Sequence, residues 1–253
     1  TVSGLSLSGG DAANYTLAAF TTTANITAKQ LTATNITAAN KEYDRGITAT
    51  LSLGSAALDG VIAGDTVNIE TGSASGAFAT KTVANGKTVT VSGLSLSGGD
   101  AGNYTLAAFT TTANITAKQL TATNITAANK EYDRGVSATL SLGSAGLDGV
   151  ISGDSVSIVT SSATGAFATK TVANGKTVTV SGLSIAGGDA ANYTLAAFTT
   201  TANITAKQLT ATNITAENKE YNQQLNATLN LGSAGLDGVI AGDNVSIETG
   251  SAT

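Results

Sequence analysis

The chain contains no cysteine, histidine, proline, methionine or tryptophan. Without cysteine it has no disulfides, thiolate metal sites or thiol nucleophiles, and without histidine it has neither a Ser-His-Asp triad nor a Cys-His pair. Carboxylates are the remaining acid-base candidates, namely Asp44, Asp59, Asp65 and Asp100. They recur with the repeat described below, and one active site in every copy would be unusual. We therefore expect the chain not to be an enzyme.

Charge and long apolar runs are also scarce. Charged residues make up 11% of the chain and the net charge is −5, whereas an average domain is about 25% charged. Nucleic acids and anionic membranes select clustered Lys and Arg, so we expect neither as a partner. No apolar run approaches the ~18–20 residues that span a bilayer, and neither a Met nor a signal segment is present. These features favour a soluble interior fragment of a longer protein.

What the chain does have is a tandem repeat with a period of 89 residues. Tyr15, Tyr104 and Tyr193 mark this spacing, and so do Phe20, Phe109 and Phe198. The repeat predicts four segments: residues 1–27 as the C-terminal part of a copy, 28–116 and 117–205 as complete copies, and 206–253 as an N-terminal part. No proline or Gly/Ser tract separates the copies, so we expect adjoining modules with restricted hinge motion.

Turn signals predict a hairpin in the second half of each copy. Asn85-Gly86 lies between two apolar-polar runs, which predicts a two-residue turn with positive φ at both residues, as at Asn174-Gly175. After it, Val89 and Leu94 fall on opposite parity, so Gly93 is expected to mark a bulge.

The first half of each copy predicts strands and one long loop. Residues 30–37 and 47–53 read as strands, and 54–65 as a loop with at most one helical turn from Ser55 to Gly60. Residues 66–70 form a further strand. Comparison between copies places Val67 and Ile69 inside, and it also predicts two sets of core positions by aliphatic exchange: Ile47, Val136 and Leu225, and Leu96 and Ile185.

Together these signals predict an all-β fold of tandem antiparallel β-sandwich (Ig-like) repeats that form an elongated rod. The alternative is a β-grasp-like module in which residues 55–63 form a helix. A β-solenoid is disfavoured because no sub-period of roughly 20–30 residues is visible.

Four motifs in order give the chain a family resemblance. They are Lys41-Glu42-Tyr43-Asp44-Arg45-Gly46, Gly64-Asp65-Thr66-Val67, residues 86–94, and Gly99-Asp100-Ala101-Gly102-Asn103-Tyr104-Thr105-Leu106. The chain resembles the YDG-type repeats of large bacterial surface adhesins, the filamentous-haemagglutinin-like exoproteins. It departs from the Tyr-Asp-Gly pattern by an inserted arginine, Arg45, and its last copy reads Tyr221-Asn222-Gln223-Gln224.

The resemblance implies an extracellular, tandemly repeated stalk that holds an adhesive region away from the bacterial cell, with no catalytic residues. The rival function is self-association, in which copies on neighbouring chains pair through exposed edge strands to build a biofilm matrix or fibre.

Two kinds of surface site follow from the turns. Oxygen-rich turns offer candidate calcium ligands, and the alternative is that each Asp caps its own turn; the candidates are Asp11, Asn14, Asp100, Asn103, Asp189 and Asn192. Asn-X-Ser/Thr sequons are dense, and they read either as glycosylation sites or as the normal pattern of a Thr-rich strand; they begin at Asn14, Asn25, Asn35, Asn103, Asn114, Asn124, Asn192, Asn203, Asn213, Asn226 and Asn244.

The partial copies at each end suggest a last hypothesis. Neither has enough strands to close a core, so we expect Val2, Leu5, Val245 and Ile247 to be completed by material outside the chain. The alternative is that each partial copy leans on the complete copy beside it.

Overall fold

The computed structural model describes residues 1–252, so Thr253, the end of the last predicted segment, lies outside the described residues. The chain forms two compact units. The first consists of Thr1–Lys41 and Arg45–Thr116, and the second of Glu42–Asp44 and the chain from Ala117 onward. Both are built from short strands, which confirms the predicted all-β tandem fold.

The strands of the two units follow the same order. Those between residues 29 and 116 are β1 (Lys29–Thr34), β2 (Thr37–Ala38), β3 (Lys41–Glu42), β4 (Thr48–Ala49), β5 (Leu51–Ser52), β6 (Ala57–Asp59), β7 (Asn68–Glu70), β8 (Ser75–Phe78), β9 (Ala84–Ser92), β10 (Ser95–Ser97), β11 (Tyr104–Leu106) and β12 (Phe109–Thr116). Those after Ala117 are β13 (Lys118–Thr123), β14 (Thr126–Ala127), β15 (Lys130–Glu131), β16 (Ser137–Ala138), β17 (Leu140–Ser141), β18 (Gly146–Asp148), β19 (Ser157–Val159), β20 (Thr164–Phe167), β21 (Ala173–Ser181), β22 (Ser184–Ala186), β23 (Tyr193–Leu195), β24 (Phe198–Thr205), β25 (Thr210–Thr212), β26 (Thr215–Ala216), β27 (Leu229–Asn230) and β28 (Gly235–Asp237).

Helical structure is confined, in residues 1–252, to three single 3₁₀ turns at Ala12–Asn14, Ala101–Asn103 and Ala190–Asn192. None of the described helices is long enough to cross a bilayer. The β-grasp alternative is therefore wrong, because residues 57–59 form strand β6 where that alternative requires a helix.

A five-stranded sheet with the order β3-β12-β9-β8-β4 forms one layer, and β15-β24-β21-β20-β16 repeats it in the second unit. Its long strands alternate strictly: Val89 and Val91 are buried while Thr88 and Thr90 are exposed. This alternation follows from the period of two in a strand, which turns successive side chains to opposite faces. The apolar residues therefore line a single inner face.

The other layer contains parallel strand pairs, which are not part of the predicted antiparallel sandwich. Strand β1 pairs antiparallel with β6 but parallel with β11, with Leu31 opposite Leu106. Parallel neighbours need a long crossover, and here the first and the eleventh strand of one copy are joined. The parallel pair β13-β23 does the same in the second unit.

The core of the first unit lies between these layers. Ala33, Ile36 and Val91 are buried together, and half-buried Ile69 and Leu106 pack against them. Ala122, Ile125 and Val180 form the matching cluster in the second unit. The predicted inward facing of Val67 and Ile69 is confirmed, because both are half-buried between exposed neighbours.

The Asn-Gly turn prediction is wrong. Asn85 and Gly86 lie inside strand β9, and only Gly86 has a positive φ, of 61°. The pairing of β9 with β12 slips there, so that two residues of β9 face one residue of β12, which is a β-bulge. A hairpin is present at different residues from those predicted, since β8 and β9 pair antiparallel and residues 79–83 connect them.

At Gly93 the chain leaves one sheet and enters another, whereas the sequence predicted a bulge within one strand. Strand β9 ends at Ser92, and the next strand, β10, pairs with β7 in a different sheet. Gly93 has φ 75°, and a Cβ there would lie 2.1 Å from the carbonyl oxygen of Ser73. Only glycine fits that close approach.

Three further predictions differ in part from the structure. The strand expected at 30–37 is interrupted at Asn35, which has φ 59°, and that expected at 47–53 divides between β4 and β5. The loop expected at 54–65 contains β6. Leu96 and Ile185 are half-buried, but the other aliphatic set is exposed, so Ile47, Val136 and Leu225 are not core residues.

Near the ends, Val2, Leu5 and Val245 are exposed and Ile247 is half-buried. None of these four residues is fully buried by the chain itself. That material outside the chain covers them therefore stays a hypothesis.

Candidate functional site

Each unit contains a tyrosine that is hydrogen-bonded to an aspartate, at the start of β11 in the first unit and of β23 in the second. We call this site the Tyr-Asp pocket. In the second unit it consists of Ile151, Asp154 and Tyr193. The Tyr193 hydroxyl donates to Asp154 Oδ2 over 2.6 Å and accepts from the backbone N–H of Ile151 over 3.1 Å. In the first unit the Tyr104 hydroxyl donates to Asp65 Oδ2 over 2.6 Å and accepts from the backbone N–H of Ile62 over 3.2 Å.

Two loops are locked together to form the pocket. Asp100 accepts a hydrogen bond from the backbone N–H of Thr66 at its Oδ2, over 2.8 Å, and its own N–H donates to the Thr66 carbonyl. Gly98 has φ 112°, and a Cβ there would lie 2.3 Å from the same carbonyl oxygen. The 3₁₀ turn Ala101–Asn103 directly precedes Tyr104 and places its hydroxyl within hydrogen-bond distance of Asp65. Two of the repeated motifs thus meet at one point.

Tyr43, from a third repeated motif, packs against the Tyr-Asp pocket of the second unit. That unit includes Glu42–Asp44, and Tyr43 is only 1% exposed within it. The rings of Tyr43 and Tyr193 meet edge to face, with centroids 5.4 Å apart and planes at 77°, which is a favoured aromatic geometry. Beside them Lys118 forms an ion pair with Glu42 over 3.1 Å.

The next copy repeats this docking. Tyr132 donates from its hydroxyl to Asp243 Oδ1 over 3.2 Å, and Arg134 Nε pairs with the same oxygen over 3.1 Å. The guanidinium also donates to the carbonyl of Ala241. Lys207 and Glu131 form an ion pair at 3.1 Å. A tyrosine and a glutamate of one copy thus reach the aspartate and lysine that follow.

The docking turn is shaped by its own side chains. Lys130 Nζ lies 2.6 Å from the carboxylate of Asp133 and donates to the carbonyl of Gly135, and that carboxylate accepts from the Gly135 N–H over 2.8 Å. Arg134 adopts a left-handed φ of 62°, and Arg45 a φ of 66°. The inserted arginine therefore occupies a conformation that L-residues rarely adopt.

Burial and the carboxylates keep the phenols protonated. Burial, followed by the neighbouring carboxylate of Asp154, raises the pKa of Tyr43 to about 12. The Tyr43 hydroxyl makes no hydrogen bond of normal geometry within the described chain, in contrast to Tyr132. Burial also raises the pKa of Tyr193 and Tyr132, and the hydrogen bond to Asp65 raises that of Tyr104. The hydroxyls of Tyr104, Tyr132 and Tyr193 are the ones that donate to aspartates.

The structure places the candidate calcium ligands on the 3₁₀ turns. Asp100 and Asp189 do not cap their own turns, since their carboxylates accept from the backbone N–H groups of Thr66 and Ser155. Asn103 is exposed and Asn192 is buried, while Asp11 and Asn14 are exposed at the ends of their turn. Within residues 1–252 no three acidic side chains cluster to hold a metal ion.

One sequon asparagine in each unit has a structural role. Asn114 Oδ1 accepts from the backbone N–H of Gly86 over 2.7 Å, which holds the bulge, and Asn203 does the same for Gly175. The Asn114 backbone N–H in turn donates to Asn40 Oδ1 over 2.7 Å.

Sequence reasoning missed the Tyr-Asp pocket as a site, although Asp65 was among the carboxylates considered. The signal was present in the copies of this chain. Tyr43, Tyr132 and Tyr221 stay tyrosine while the residue after them changes from Asp to Asn. A tyrosine that stays the same in all three copies of a polar turn indicates that its ring makes a buried contact.

The repeats match a known domain. A family model described as YDG domain matches residues 27–113 and again residues 116–202. Comparison with curated proteins and with solved structures found no match to the chain.

Proposed function

Because the chain belongs to the YDG domain family, with two domains in tandem that fit a repeat-based structural role, we propose that it is a stalk segment of a bacterial adhesin. In this role the repeats are secreted or anchored at the cell surface, and they project an adhesive region from the cell. They carry no catalytic site of their own.

One observation carries the mechanical part of this proposal. The core of the second unit contains Tyr43, which lies far ahead of Ala117 in the chain. A pull on the chain therefore acts on a side chain that the second unit buries. The ion pair of Lys118 with Glu42 flanks the same point. These contacts of residues 42–44 within the second unit suit a protein that has to bear tension.

Small-angle scattering tests the stalk. A compact chain of 253 residues has a radius of gyration of about 18 Å, whereas a rod of about 100–130 Å has one of roughly 30–40 Å. A value near the compact one refutes the stalk. Location is tested separately, because antibodies against the repeats should label intact cells of the producing bacterium if the protein is extracellular.

The second candidate function is self-association into a matrix or fibre. The observation in its favour is the sheet order, in which β3 and β4 are the edge strands of the five-stranded sheet. The backbone groups on the outer side of an edge strand can pair with a strand of another chain. Concentration-dependent association of the purified chain tests this function.

A further inference from the structure

The first and the last strands of a copy lie side by side and run in the same direction. In the second unit we call residues 118–131 the entry segment and residues 193–205 the exit segment. Their first residues are paired with each other and so are their last residues, in parallel register and at separations of 75 and 74 residues. The two segments are therefore paired at both ends in nearly constant register.

Hydrogen bonds hold both ends of this pairing. At the first end the Ala196 N–H donates to the Leu120 carbonyl over 2.9 Å, directly after the parallel pair β13-β23. At the far end the Asn203 N–H donates to Asn129 Oδ1 over 2.7 Å, beside the parallel pair β15-β24. The exit segment is thus fixed to the entry segment near its first and near its last residue.

The first unit repeats these bonds. The Ala107 N–H donates to the Leu31 carbonyl over 2.9 Å, directly after the parallel pair β1-β11. The Asn114 N–H donates to Asn40 Oδ1 over 2.7 Å. The parallel arrangement of first and last strands is therefore a property of the repeat.

The direction of the two segments decides how a copy responds to a pull. Tension in the chain acts on the entry segment at its first residue and on the exit segment at its last residue. Because the segments are parallel, these forces slide one segment along the other, and the evenly spaced bonds of a parallel pair carry the load together. In an antiparallel pair the two pulled ends lie side by side, so the bonds break one after another from that end.

We propose that the paired entry and exit segments form a shear clamp, which makes each copy resist extension along the chain. The inference rests on the stalk function proposed above, since a stalk that projects an adhesive region is loaded along its length. The clamp consists of residues of one copy, whereas the contact of Tyr43 with Tyr193 joins two copies.

An antiparallel pair in the same unit provides the comparison. Strands β20 and β21 are connected by residues 168–172, and Thr164 lies opposite Ser181 at the open end of the pair. Both residues are exposed. A pull on these two residues opens the pair from its end, so that each bond carries the load in turn.

Single-molecule force spectroscopy of the full chain tests the clamp through the direction of the pull. The chain contains no cysteine, so Thr164→Cys with Ser181→Cys gives two defined attachment points. We expect the peak force in this direction to be at least about twofold lower than for a chain pulled from its two ends, because the bonds no longer share the load. Equal peak forces in the two directions would overturn the proposal.

Two substitutions weaken the clamp from its opposite ends. Ala196→Pro removes the N–H that bonds to Leu120, and Asn129→Ala, at an exposed residue, removes the acceptor of the Asn203 N–H. Under constant load from the chain ends, Asn129→Ala should speed unfolding of the second unit by about three- to tenfold, as for one lost hydrogen bond. Ala196→Pro should have at least the same effect. If Ala196→Pro does not fold, Asn129→Ala decides the test.

A matched control separates the clamp from general stability. Ile185→Ala truncates a half-buried residue on β22, outside both segments, and should lower the melting temperature. Forced unfolding depends on the unfolding rate and not on overall stability, so this variant should unfold under load at the wild-type rate. The first unit of the same molecule is an internal control. If Ile185→Ala accelerates unfolding under load as much as Asn129→Ala, the load is spread over the whole unit and the proposal is wrong.

The clamp and the stalk fail in different experiments. A force that does not depend on direction overturns the clamp, even where scattering shows an elongated chain. A compact chain in the scattering experiment refutes the stalk and with it the role of the clamp, whereas the dependence of the force on direction would remain.

Discussion

Tyr43 and Tyr193 lie in different copies of the repeat, yet their rings meet edge to face with centroids 5.4 Å apart in the second unit. Tyr193 is tied to Asp154 by a 2.6 Å hydrogen bond. A polar turn of one copy thus completes the apolar and hydrogen-bonded core of the compact unit that follows.

Removal of the Tyr43 ring should destabilise the second unit. Tyr43→Ala deletes a buried aromatic side chain, which costs about 3–5 kcal/mol of unfolding free energy. Tyr43→Phe keeps the ring and removes a hydroxyl without a normal hydrogen bond, so we expect less than about 1 kcal/mol. Chemical denaturation measures both. Equal effects of the two variants would mean that the hydroxyl, not the ring, supports the unit.

Stability should fall at alkaline pH. Burial raises the pKa of Tyr43 to about 12, from about 10 in the unfolded chain. The folded state therefore holds its proton longer, so this contribution is complete below pH 10 and is lost as the pH rises from 10 to 12. Melting temperature as a function of pH measures the loss. Tyr43→Phe should have a shallower decline, and an identical decline would contradict the assignment.

The sequence predicted the parts of the fold that depend on local pattern. The alternation of Val89 and Val91 with threonines predicted the long strands, and the repeat period of 89 residues predicted the tandem units. The parallel pair of Leu31 with Leu106 was not predicted, since a period of two is the same in parallel and antiparallel strands.

The site was harder to predict than the fold. Tyr43 stands in a charged turn, which reads as solvent-exposed, and its burial depends on Tyr193 in another copy. The prediction of a two-residue turn at Asn85-Gly86 was wrong for a related reason. The same dipeptide suits a two-residue turn and a bulge, and the side chain of Asn114 across the sheet decides between them.

The bulge should be sensitive to both of its partners. Gly86→Val places a β-branched residue at φ 61° and should cost more than about 1 kcal/mol of unfolding free energy. Asn114→Ala removes the acceptor of the Gly86 N–H and should cost about 1 kcal/mol. Thermal melting measures both, with Gly175→Val and Asn203→Ala as the same pair in the second unit. An unchanged melting temperature for Gly86→Val would contradict the left-handed assignment.

Arg134 combines an unfavourable backbone conformation with a favourable ion pair. Arg134→Gly relieves the left-handed φ of 62° and loses the bond to Asp243, so the two effects nearly cancel, to within about 0.5–1 kcal/mol. Arg134→Ala loses the bond and keeps the conformation, so it should be about 1 kcal/mol less stable than the glycine variant. Denaturation of the two variants side by side measures the difference. Equal stability would mean that the turn relaxes when the arginine is removed.

Calcium should be dispensable. The carboxylates of Asp100 and Asp189 already accept backbone hydrogen bonds of 2.8 and 2.9 Å. We therefore expect the same melting temperature with calcium and with EDTA. A decrease of more than a few degrees in EDTA would reassign these turns as metal ligands, and Asp100→Asn would then abolish the response of the first unit.

Hydrogen exchange of the full-length Tyr43→Ala variant tests most directly whether a turn of one copy completes the next compact unit. We predict faster exchange in peptides that contain Ile151, Asp154 and Tyr193, far from the substitution in sequence, and unchanged exchange for Tyr43→Phe. Faster exchange confined to peptides around residue 43, with full protection around Tyr193, would contradict the account.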